Sequence, residues 1–317
     1  MNFDVSTIMV SYNTEHLLPE VLGALRQASA KLKNQIVIVD NASRDGSVDL
    51  LRRDYPDCQL IVNSVNVGFG RANNQALGVV KGRYLLLLNT DAFVSPDTLD
   101  KTVAYMDANP KCGILGVKFI GRDGDLQPSA RYFPTPWNLF LQRTGLNRIF
   151  RNVQLVDDMD WDHASVRLCD WVPGCYYLIR REVIDTVGLF DPRYFLYFEE
   201  VDHCFAAKNA GWEVHYYPDT SVIHIGGESA KSDGEITKNG RQLESIQIES
   251  ELLYFRKNRG VWAVWLDVLL NILADLIVVL KRLIKFKRPI GWLTHRRHVV
   301  LVWVLFWRTH LASRPTR

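Results

Sequence analysis

The feature that most constrains this chain is an alternation, over its N-terminal third, of short apolar runs with segments of helical periodicity. Residues 5–11, 36–40, 60–62 and 84–89 are each short, apolar and bounded by polar or turn-forming residues, a pattern that predicts buried strands. Between the first two runs, apolar residues recur at helical spacing over 17–25. Strands that alternate with helices favour an α/β fold, in which helices flank a mostly parallel sheet on both faces.

Polar side chains follow these strands where the strands end. In α/β sheets, ligands bind at the carboxyl ends of the strands, where neighbouring strand ends meet. Any one of these residues is also compatible with a turn or a helix cap. Together, at one edge of the sheet, they predict a binding site. They are Ser11, Asn13, Asp40, Asn41, Asn66, Asn89 and Asp91.

Asp91 follows the most apolar of these strands, in LLLLNTDAF (85–93). A carboxylate suits Mg²⁺ or Mn²⁺, which prefer oxygen ligands and leave coordination sites for substrate phosphates. The alternative is that Asp91 caps the next helix. We assign that role to Ser95, with Pro96 at the first helical position, and therefore predict that Asp91 binds a metal ion.

A second acidic cluster lies in YFEEVDHC (197–204), which contains Glu199, Glu200 and Asp202 among aromatic residues. Repulsion between neighbouring carboxylates and partial desolvation both raise a carboxyl pKa toward the range of a general base. The alternative is an acidic first helical turn stabilised by the helix dipole, and this alternative is strongest for Asp202. We predict that Glu200 is a catalytic base, with Glu199 as the other candidate.

His224 lies in the apolar run SVIHI (221–225), directly before a glycine pair. A lone histidine in such a run is more often a core residue than a metal ligand. Only the neighbouring motifs give it weight as a ligand.

Seven motifs occur along the chain in a fixed order: VSYN (10–13), VDNASRDGS (39–47), NVGFGRANNQA (66–76), LLLNTDAF (86–93), VPGCYYLIRREV (172–183), FDPRYFLYFEEVDHC (190–204) and VIHIGGES (222–229). This order resembles the family 2 glycosyltransferases with a GT-A (Rossmann-like) fold, and especially their rhamnosyltransferase-like branch. The resemblance covers roughly residues 3–260. It implies an inverting enzyme that moves a sugar from a nucleotide-sugar donor in a single displacement.

The resemblance also implies roles for individual residues. Ser11 and Asp40 would border the donor base and ribose, and Asn66 and Arg71 the ribose or diphosphate. Asn13, Asn89 and Asp91 belong to the same predicted donor site.

For the chemistry, the resemblance implies that Asp91 is the metal ligand of a D-x-D-like element. Glu200 would be the base of an E-D element, and His224 would touch the metal ion or the diphosphate. Two departures stand out: NTDAF (89–93) has one acid where many relatives have two, and glutamate replaces the commoner aspartate at the base position. Metal binding would therefore depend on the donor phosphates and on His224.

The resemblance favours L-rhamnose from dTDP-rhamnose as donor, and a lipid-linked or polysaccharide acceptor of cell-envelope glycan synthesis. The Q-x-x-R-W element of processive synthases is absent, which favours transfer of a single sugar. A UDP- or GDP-sugar donor stays open, as does a catalytically inactive membrane-associated scaffold. A nucleotidyltransferase is disfavoured because SYNTEH (11–16) lacks a glycine-rich phosphate loop. A dehydrogenase is disfavoured because GFGRAN (68–73) lacks the third glycine of GxGxxG.

The C-terminal segment differs in charge from the rest of the chain. Residues 256–317 hold 13 Lys and Arg against two acids, a net charge of +11, which leaves −8 for residues 1–255. Such a cationic segment favours an anionic surface, whereas no nucleic-acid recognition motif is present. We predict a catalytic domain over 1–258. Residues 259–317 would form a basic, aromatic, amphipathic helical tail that binds a membrane or a second copy of the chain.

Residues 261–280 are apolar and match the roughly 20 residues that span a bilayer. Asp267, Asn271 and Asp275 recur every four residues, so they share one helical face. Each acid at a bilayer centre costs about 2.5–3.5 kcal/mol on insertion scales. We therefore expect this helix to lie along the membrane surface or to pack on the catalytic domain.

The composition of the whole tail agrees with an interfacial position. It carries five cations in KRLIKFKR (281–288) and five of the nine tryptophans, Trp262, Trp265, Trp292, Trp303 and Trp307. The five cysteines form no CxxC pair, and we expect no signal peptide in the N-terminal sequence. The predicted location is the cytoplasmic side of the inner membrane, as a peripheral protein.

Overall fold

A computed structural model describes residues 3–226, 241–284 and 292–317. Their contacts divide them into two compact units. The sheet unit comprises residues 3–131, 159–192 and 199–226, and the helical unit comprises 132–158, 193–198, 241–284 and 292–317. The predicted boundary at residue 258 falls inside the helical unit, and the two-domain division stays a prediction.

The strands all lie in the sheet unit. They are β1 (Phe3–Ser11), β2 (Asn34–Asp40), β3 (Gln59–Val62), β4 (Gly82–Leu88), β5 (Ala92–Val94), β6 (Cys112–Ile120), β7 (Leu126–Gln127), β8 (Arg167–Leu168), β9 (Tyr176–Arg180) and β10 (Glu213–His224).

The helices are divided between the units. The sheet unit holds α1 (Leu18–Ala28), α2 (Ser47–Asp54), α3 (Phe69–Gln75), α4 (Thr98–Ala108), α6 (Arg181–Val187) and α7 (Glu199–Asn209). The helical unit holds α5 (Pro136–Thr144), α8 (Arg241–Arg259), α9 (Val261–Ile284) and α10 (Trp292–Arg308).

The sheet is parallel where the sequence alternates most clearly. Its strand order is β3-β2-β1-β4-β9-β6-β10-β5, and β3, β2, β1 and β4 are all parallel. Beyond β4, β9 is antiparallel to both of its neighbours, β6 and β10 are parallel, and β5 is antiparallel to β10. The predicted α/β fold with flanking helices is confirmed, and the complete sheet is mixed.

Burial explains why these segments become strands and helices. Ile8, Val37 and Leu86 in the central strands have no exposed surface, as expected for strands covered on both faces. In α1, the apolar residues at helical spacing, Leu18 to Leu25, are the buried ones. Burial of such side chains, about 1.5–3 kcal/mol each, is the main energy that holds the layers together.

The prediction that Ser95 caps a helix was wrong. Its hydroxyl donates to the carbonyl of Ser221 at 3.0 Å, and α4 begins at Thr98 with Asp97 at the N-cap position. Strand β10 is continuous, although its pairing with β6 shifts register between Tyr217 and Ser221. A turn at 122–125 joins the antiparallel strands β6 and β7.

The C-terminal segment is helical, as predicted. Among the described residues, α9 is the one helix long and apolar enough to cross a membrane. Its Asp267 and Asp275 are buried in the helical unit, with 2% and 3% of their surface exposed. Residues 285–288 of the predicted basic run, residues 227–229 of the last motif and the side chain of Trp292 lie outside the described residues.

Candidate active site

The carboxyl end of β2 provides a buried acceptor. Asp40 is the last residue of β2 and has no exposed surface. The backbone N–H of Ser43 donates to its Oδ1 at 2.9 Å. Its Oδ2 is buried and has no hydrogen-bond partner within the described ranges. A buried carboxylate oxygen with no partner is costly, and a ligand N–H would satisfy it.

The polar residues around Asp40 hold the loops at this edge. The Asn13 side-chain carbonyl accepts from the Arg44 backbone N–H at 2.7 Å. Asn66 Oδ1 accepts from Asn41 Nδ2 at 2.8 Å and from the Gly68 backbone N–H at 2.9 Å. The buried Ser11 hydroxyl lies 3.2 Å from that of Thr14. The structure thus brings these predicted residues together in loop-ordering roles, and their contacts to a donor stay predictions.

Helix α3 is hydrogen-bonded to a second loop, at residues 190–192. Arg71 Nε donates to the carbonyl of Pro192 at 2.7 Å, and Asn74 Nδ2 donates to that of Phe190 at 2.7 Å. Gly70 allows the close approach, because a Cβ there would lie 3.3 Å from Phe190 Cβ and 3.6 Å from Glu199 Cβ. Arg71 therefore lies beside the start of α7, and its predicted donor contact stays a prediction.

Asp91 and His224 meet at the junction of β4, β5 and β10. Asn89 and Asp91 lie in the link from β4 to β5, where the Asn89 backbone N–H donates to the carbonyl of Cys175 at 3.1 Å. The Ile225 backbone N–H donates to the carbonyl of Asp91 at 3.1 Å. Because β5 pairs with β10 at His224, Asp91 Oδ1 lies 3.7 Å from His224 Nε2.

Gln127 holds His224 at two points. Its Oε1 lies 2.9 Å from His224 Nδ1, and its Nε2 donates to the His224 carbonyl at 2.9 Å. Because a carbonyl oxygen only accepts, the imidazole must donate from Nδ1, which leaves the lone pair of Nε2 toward Asp91. Burial lowers the pKa of His224, against the charge of Asp91, so the ring is neutral as a metal ligand requires.

A carboxylate and a neutral imidazole are suitable ligands for a divalent cation, but two protein ligands do not complete its coordination. Across residues 3–226, 241–284 and 292–317, no group of three or more His, Cys, Asp or Glu side chains is placed to hold a metal ion. An ion at Asp91 and His224 would need substrate oxygens or water to complete its coordination. This agrees with the single acid of the NTDAF motif.

Glu200 lies in the first turn of α7 and is a half-buried residue. Burial raises its pKa, while its own backbone N–H, the charge of Arg131 and the Gly174 N–H oppose the shift. Its Oε2 is buried and has no hydrogen-bond partner in the described part of the chain. A carboxylate with a raised pKa and one open oxygen can accept a proton from a substrate.

Cys175 links the two carboxylates electrostatically. Burial raises the pKa of its thiol, and the negative charges of Asp91 and Glu200 raise it further. The Gly174 N–H bonds to Glu200, and the Cys175 carbonyl accepts from the Asn89 N–H, so the VPG turn before β9 lies beside both Glu200 and the link that carries Asp91. Glu199 is buried, and its Cβ lies beside Gly70 of α3; the choice between Glu199 and Glu200 as the base stays a prediction.

Sequence reasoning missed three residues of this site: Gln127, Arg131 and Cys175. Gln127 and Arg131 stand in QPSAR (127–131), in a stretch without periodicity, and the Gln127 contact to His224 joins residues 97 apart. No local pattern marks such a contact. Arg131 also lies over the Trp171 ring, 4.6 Å from its centroid.

The chain is similar to known glycosyltransferases. The sequence model described as Glycosyl transferase family 2 matches residues 6–161. The N-acetylglucosaminyl-diphospho-decaprenol L-rhamnosyltransferase of Mycobacterium tuberculosis is 28% identical over 250 residues, which are 71% of this chain and 77% of that protein. The dTDP-rhamnosyl transferase RfbF of Shigella flexneri is 26% identical, over 81% of this chain and 82% of that protein.

A solved structure shares the fold. The mannosyltransferase of Pyrobaculum calidifontis, solved in complex with GDP-Man and Mn²⁺, superposes with a TM-score of 0.54 at 17% identity. The superposition covers 96% of this chain and 87% of that chain.

Proposed function

We propose that this chain is a rhamnosyltransferase-like glycosyltransferase of family 2, and that it transfers one L-rhamnose from dTDP-rhamnose to an acceptor. The acceptor is a lipid-linked or polysaccharide chain of cell-envelope glycan synthesis. One observation carries the proposal: Glu200, which accepts from the Gly174 N–H beside the Asn89–Asp91 link, keeps a buried oxygen without a partner in the described residues. The names of the two relatives motivate the donor sugar.

Asp91 and His224 would hold a Mg²⁺ or Mn²⁺ ion together with the donor diphosphate. When bound, the ion stabilises the negative charge that develops on the leaving diphosphate. The mannosyltransferase of Pyrobaculum calidifontis was solved with Mn²⁺, which supports this assignment. Gln127 contributes by keeping Nε2 of His224 directed at Asp91.

Glu200 acts as the base of a single displacement. It takes the proton of the acceptor hydroxyl while that oxygen bonds to the sugar C1. The bond from C1 to the diphosphate oxygen breaks, and the nucleoside diphosphate leaves with the electron pair. The configuration at C1 is inverted. The raised pKa of Glu200, caused by burial, suits a group that must accept this proton near neutral pH. Glu199 remains the other candidate for the base.

The donor nucleotide binds at the ends of β1 and β2. Asp40 Oδ2 accepts from the N3–H of the pyrimidine, and Ser11 borders the base and ribose. Asn13, Asn66, Arg71 and Asn89 complete the donor site. Thymine and uracil both present an N3–H group, so Asp40 does not separate dTDP-sugars from UDP-sugars.

The donor is tested with labelled nucleotide sugars. Protein and membranes receive dTDP-rhamnose, UDP-sugars or GDP-mannose, and the label transferred to lipid or glycan is counted. We expect transfer from dTDP-rhamnose. NMR of the product should show an anomeric configuration opposite to that of the donor. Incorporation from a UDP- or GDP-sugar but not from dTDP-rhamnose would refute the donor. Unchanged transfer by both Asp91→Ala and Glu200→Gln would refute the assignment of these two residues to catalysis. No transfer by the parent protein from any of these donors would favour the inactive-scaffold alternative.

The proposed location is peripheral, at the cytoplasmic face of the inner membrane. A lipid-linked acceptor presents its reactive sugar at the membrane surface, so an enzyme that binds an anionic surface meets its substrate there. The basic tail supports this location. A homodimer formed through the tail is the alternative use of the same segment.

A further inference from the structure

Helix α9 carries its polar stripe on the inside of the helical unit. Arg143 of α5 donates from Nη1 to Asn271 Oδ1 and from Nη2 to Asp275 Oδ1, both at 2.6 Å. His298 Nδ1 of α10 lies 2.9 Å from Asp275 Oδ2. Two elements thus hold the same face of α9, so the helix cannot rotate about its axis without breaking these contacts.

The opposite face of α9 is apolar and exposed. Trp262 has 82% of its surface exposed, and Leu269 has 59%. The exposed residues recur at three- and four-residue spacing along the whole helix, so they form one stripe. They are Trp262, Leu266, Leu269, Leu273, Leu276, Leu280, Leu283 and Ile284. Soluble surfaces rarely expose a continuous stripe of this kind, and such stripes mark interaction sites.

Two neighbouring segments of the helical unit continue the apolar surface. On α10, Val300, Trp303, Val304 and Trp307 are exposed at helical spacing, and the Trp303 ring lies 6.5 Å from that of Trp265 on α9. After α5, the exposed pair Ile149 and Phe150 stands between two exposed arginines, Arg148 and Arg151. Aromatic and basic side chains side by side are typical of protein surfaces at lipid headgroups.

The acidic and basic residues of the helical unit differ in their solvent exposure. Its described acids are buried or half-buried; they are Asp157, Asp158, Glu244, Glu249, Glu251, Asp267 and Asp275. Its exposed cations include Arg148, Arg151, Lys257, Arg259, Lys281, Arg297, Arg308 and Arg314. The exposed charges of the helical unit are therefore positive, which complements an anionic bilayer.

We propose that the exposed stripe of α9 is a docking surface for an anionic phospholipid bilayer, with α9 parallel to the membrane plane. The stripe inserts at the level of the headgroups, and the surrounding arginines contact lipid phosphates. Because Asp267, Asn271 and Asp275 face the interior of the helical unit, the opposite face of α9 is the one that meets the lipid. The use of this surface, access to a lipid-linked acceptor, rests on the proposed function.

A second copy of the chain fits this surface less well. In a two-fold dimer the same patch meets itself, so a stripe bordered by cations would bring like charges together. A single spanning helix also fits poorly, because Arg143 and His298 hold the polar face of α9 inside a folded unit.

The test is vesicle co-sedimentation of the full chain, with phosphatidylcholine vesicles and with vesicles that also contain phosphatidylglycerol. We expect binding to the anionic vesicles and at least tenfold weaker binding to the neutral ones. Leu269→Glu with Leu273→Glu should reduce binding to anionic vesicles at least tenfold. Leu168→Glu, at an equally exposed leucine of β8, should bind as the parent does.

A second pair of variants tests the charges without altering the apolar stripe. Arg148→Ser with Arg151→Ser should weaken binding to anionic vesicles severalfold, while Arg52→Ser with Arg53→Ser, two exposed arginines of α2, should not. Parent-like vesicle binding by the double glutamate variant would overturn the proposal. So would a parent that forms dimers by light scattering and binds no vesicles. Sugar transfer to a water-soluble acceptor, measured in parallel, tests the proposed function separately, since it needs no membrane.

Discussion

The sheet unit and the helical unit use buried carboxylates in opposite ways. At the sheet edge, Asp40 and Glu200 each keep one buried oxygen without a partner in the described residues. In the helical unit, Asp275 has both oxygens engaged, one by Arg143 at 2.6 Å and one by His298 at 2.9 Å. All three side chains are carboxylates, and the difference lies in the partners of their oxygens.

This difference indicates what each group is for. A buried carboxylate with an open oxygen costs folding energy, which a chain retains where a ligand will satisfy the group. A buried carboxylate closed by an arginine and a histidine fixes the packing of its elements, and removing one partner is costly. We therefore expect substitutions at the sheet edge to affect catalysis. Substitutions in the contacts of Asp275 with Arg143 and His298, the helical network, should affect stability.

The largest effect should come from Glu200→Gln. The amide keeps the size of the side chain but cannot accept the acceptor proton, so kcat should fall about 10²- to 10⁴-fold. The urea midpoint should stay close to that of the parent, because Oε2 has no described partner to lose. Initial rates and urea unfolding measure both quantities. If kcat falls further in the control Glu199→Gln than in Glu200→Gln, Glu199 is the base.

Asp275→Asn should give the converse result. The loss of the negative charge leaves Arg143 without its buried partner, and we expect a loss of about 3 kcal/mol in the free energy of unfolding. Transfer to a soluble acceptor, corrected for the folded fraction, should be unchanged. The exposed pair Arg53–Asp54 provides the control, because solvent screens it, and Asp54→Asn should leave the free energy of unfolding almost unchanged. Equal costs for the two variants would contradict the contrast.

Gln127→Leu tests the metal site at a residue that does not touch the ion. Without Gln127 Oε1, the imidazole of His224 is no longer held with Nε2 toward Asp91, and Mn²⁺ affinity in the presence of nucleoside diphosphate should fall about 10- to 100-fold. Calorimetric or electron paramagnetic resonance titration measures this affinity without turnover. Gln242→Leu, at an exposed position of α8, is the control. Unchanged Mn²⁺ affinity would show that Gln127 has no part in the site.

The stability of the helical unit should also depend on pH. Burial raises the pKa of Glu251 to about 7, and burial together with Glu251 raises the pKa of Asp267 well above its ordinary value. The unfolded chain loses these protons near pH 4, so between about pH 4 and 7 the folded state binds more protons. The free energy of unfolding should therefore fall as pH rises through this window, by up to about 1.4 kcal/mol per pH unit for one proton.

Asp267→Asn removes one member of this pair and should flatten that dependence. Urea unfolding at a series of pH values measures the slope for parent and variant. A parent-like slope in the variant would place the responsible groups elsewhere.

The sequence by itself determined the elements whose signals are local. The strands around Ile8, Val37 and Leu86 and the helix over Leu18–Ala28 follow from period and apolar content, because burial on both faces or on one face leaves that pattern in the residues. The candidates Asp40, Asp91 and Glu200 were found because a polar residue directly after or within such a pattern is conspicuous. Ser95 shows the limit: its hydroxyl bonds to Ser221, 126 residues away, instead of capping the nearby helix.

Only the tertiary structure decided which side of α9 meets which partner. The spacing of Asp267, Asn271 and Asp275 gave them one face, but period alone does not say whether that face points to water, to lipid or to protein. The answer depends on Arg143, 128 residues from Asn271 in the chain, whose guanidinium repays the desolvation of Asp275. Gln127 and His224 follow the same rule: their contact, and with it the direction of Nε2, exists only after the strands have assembled.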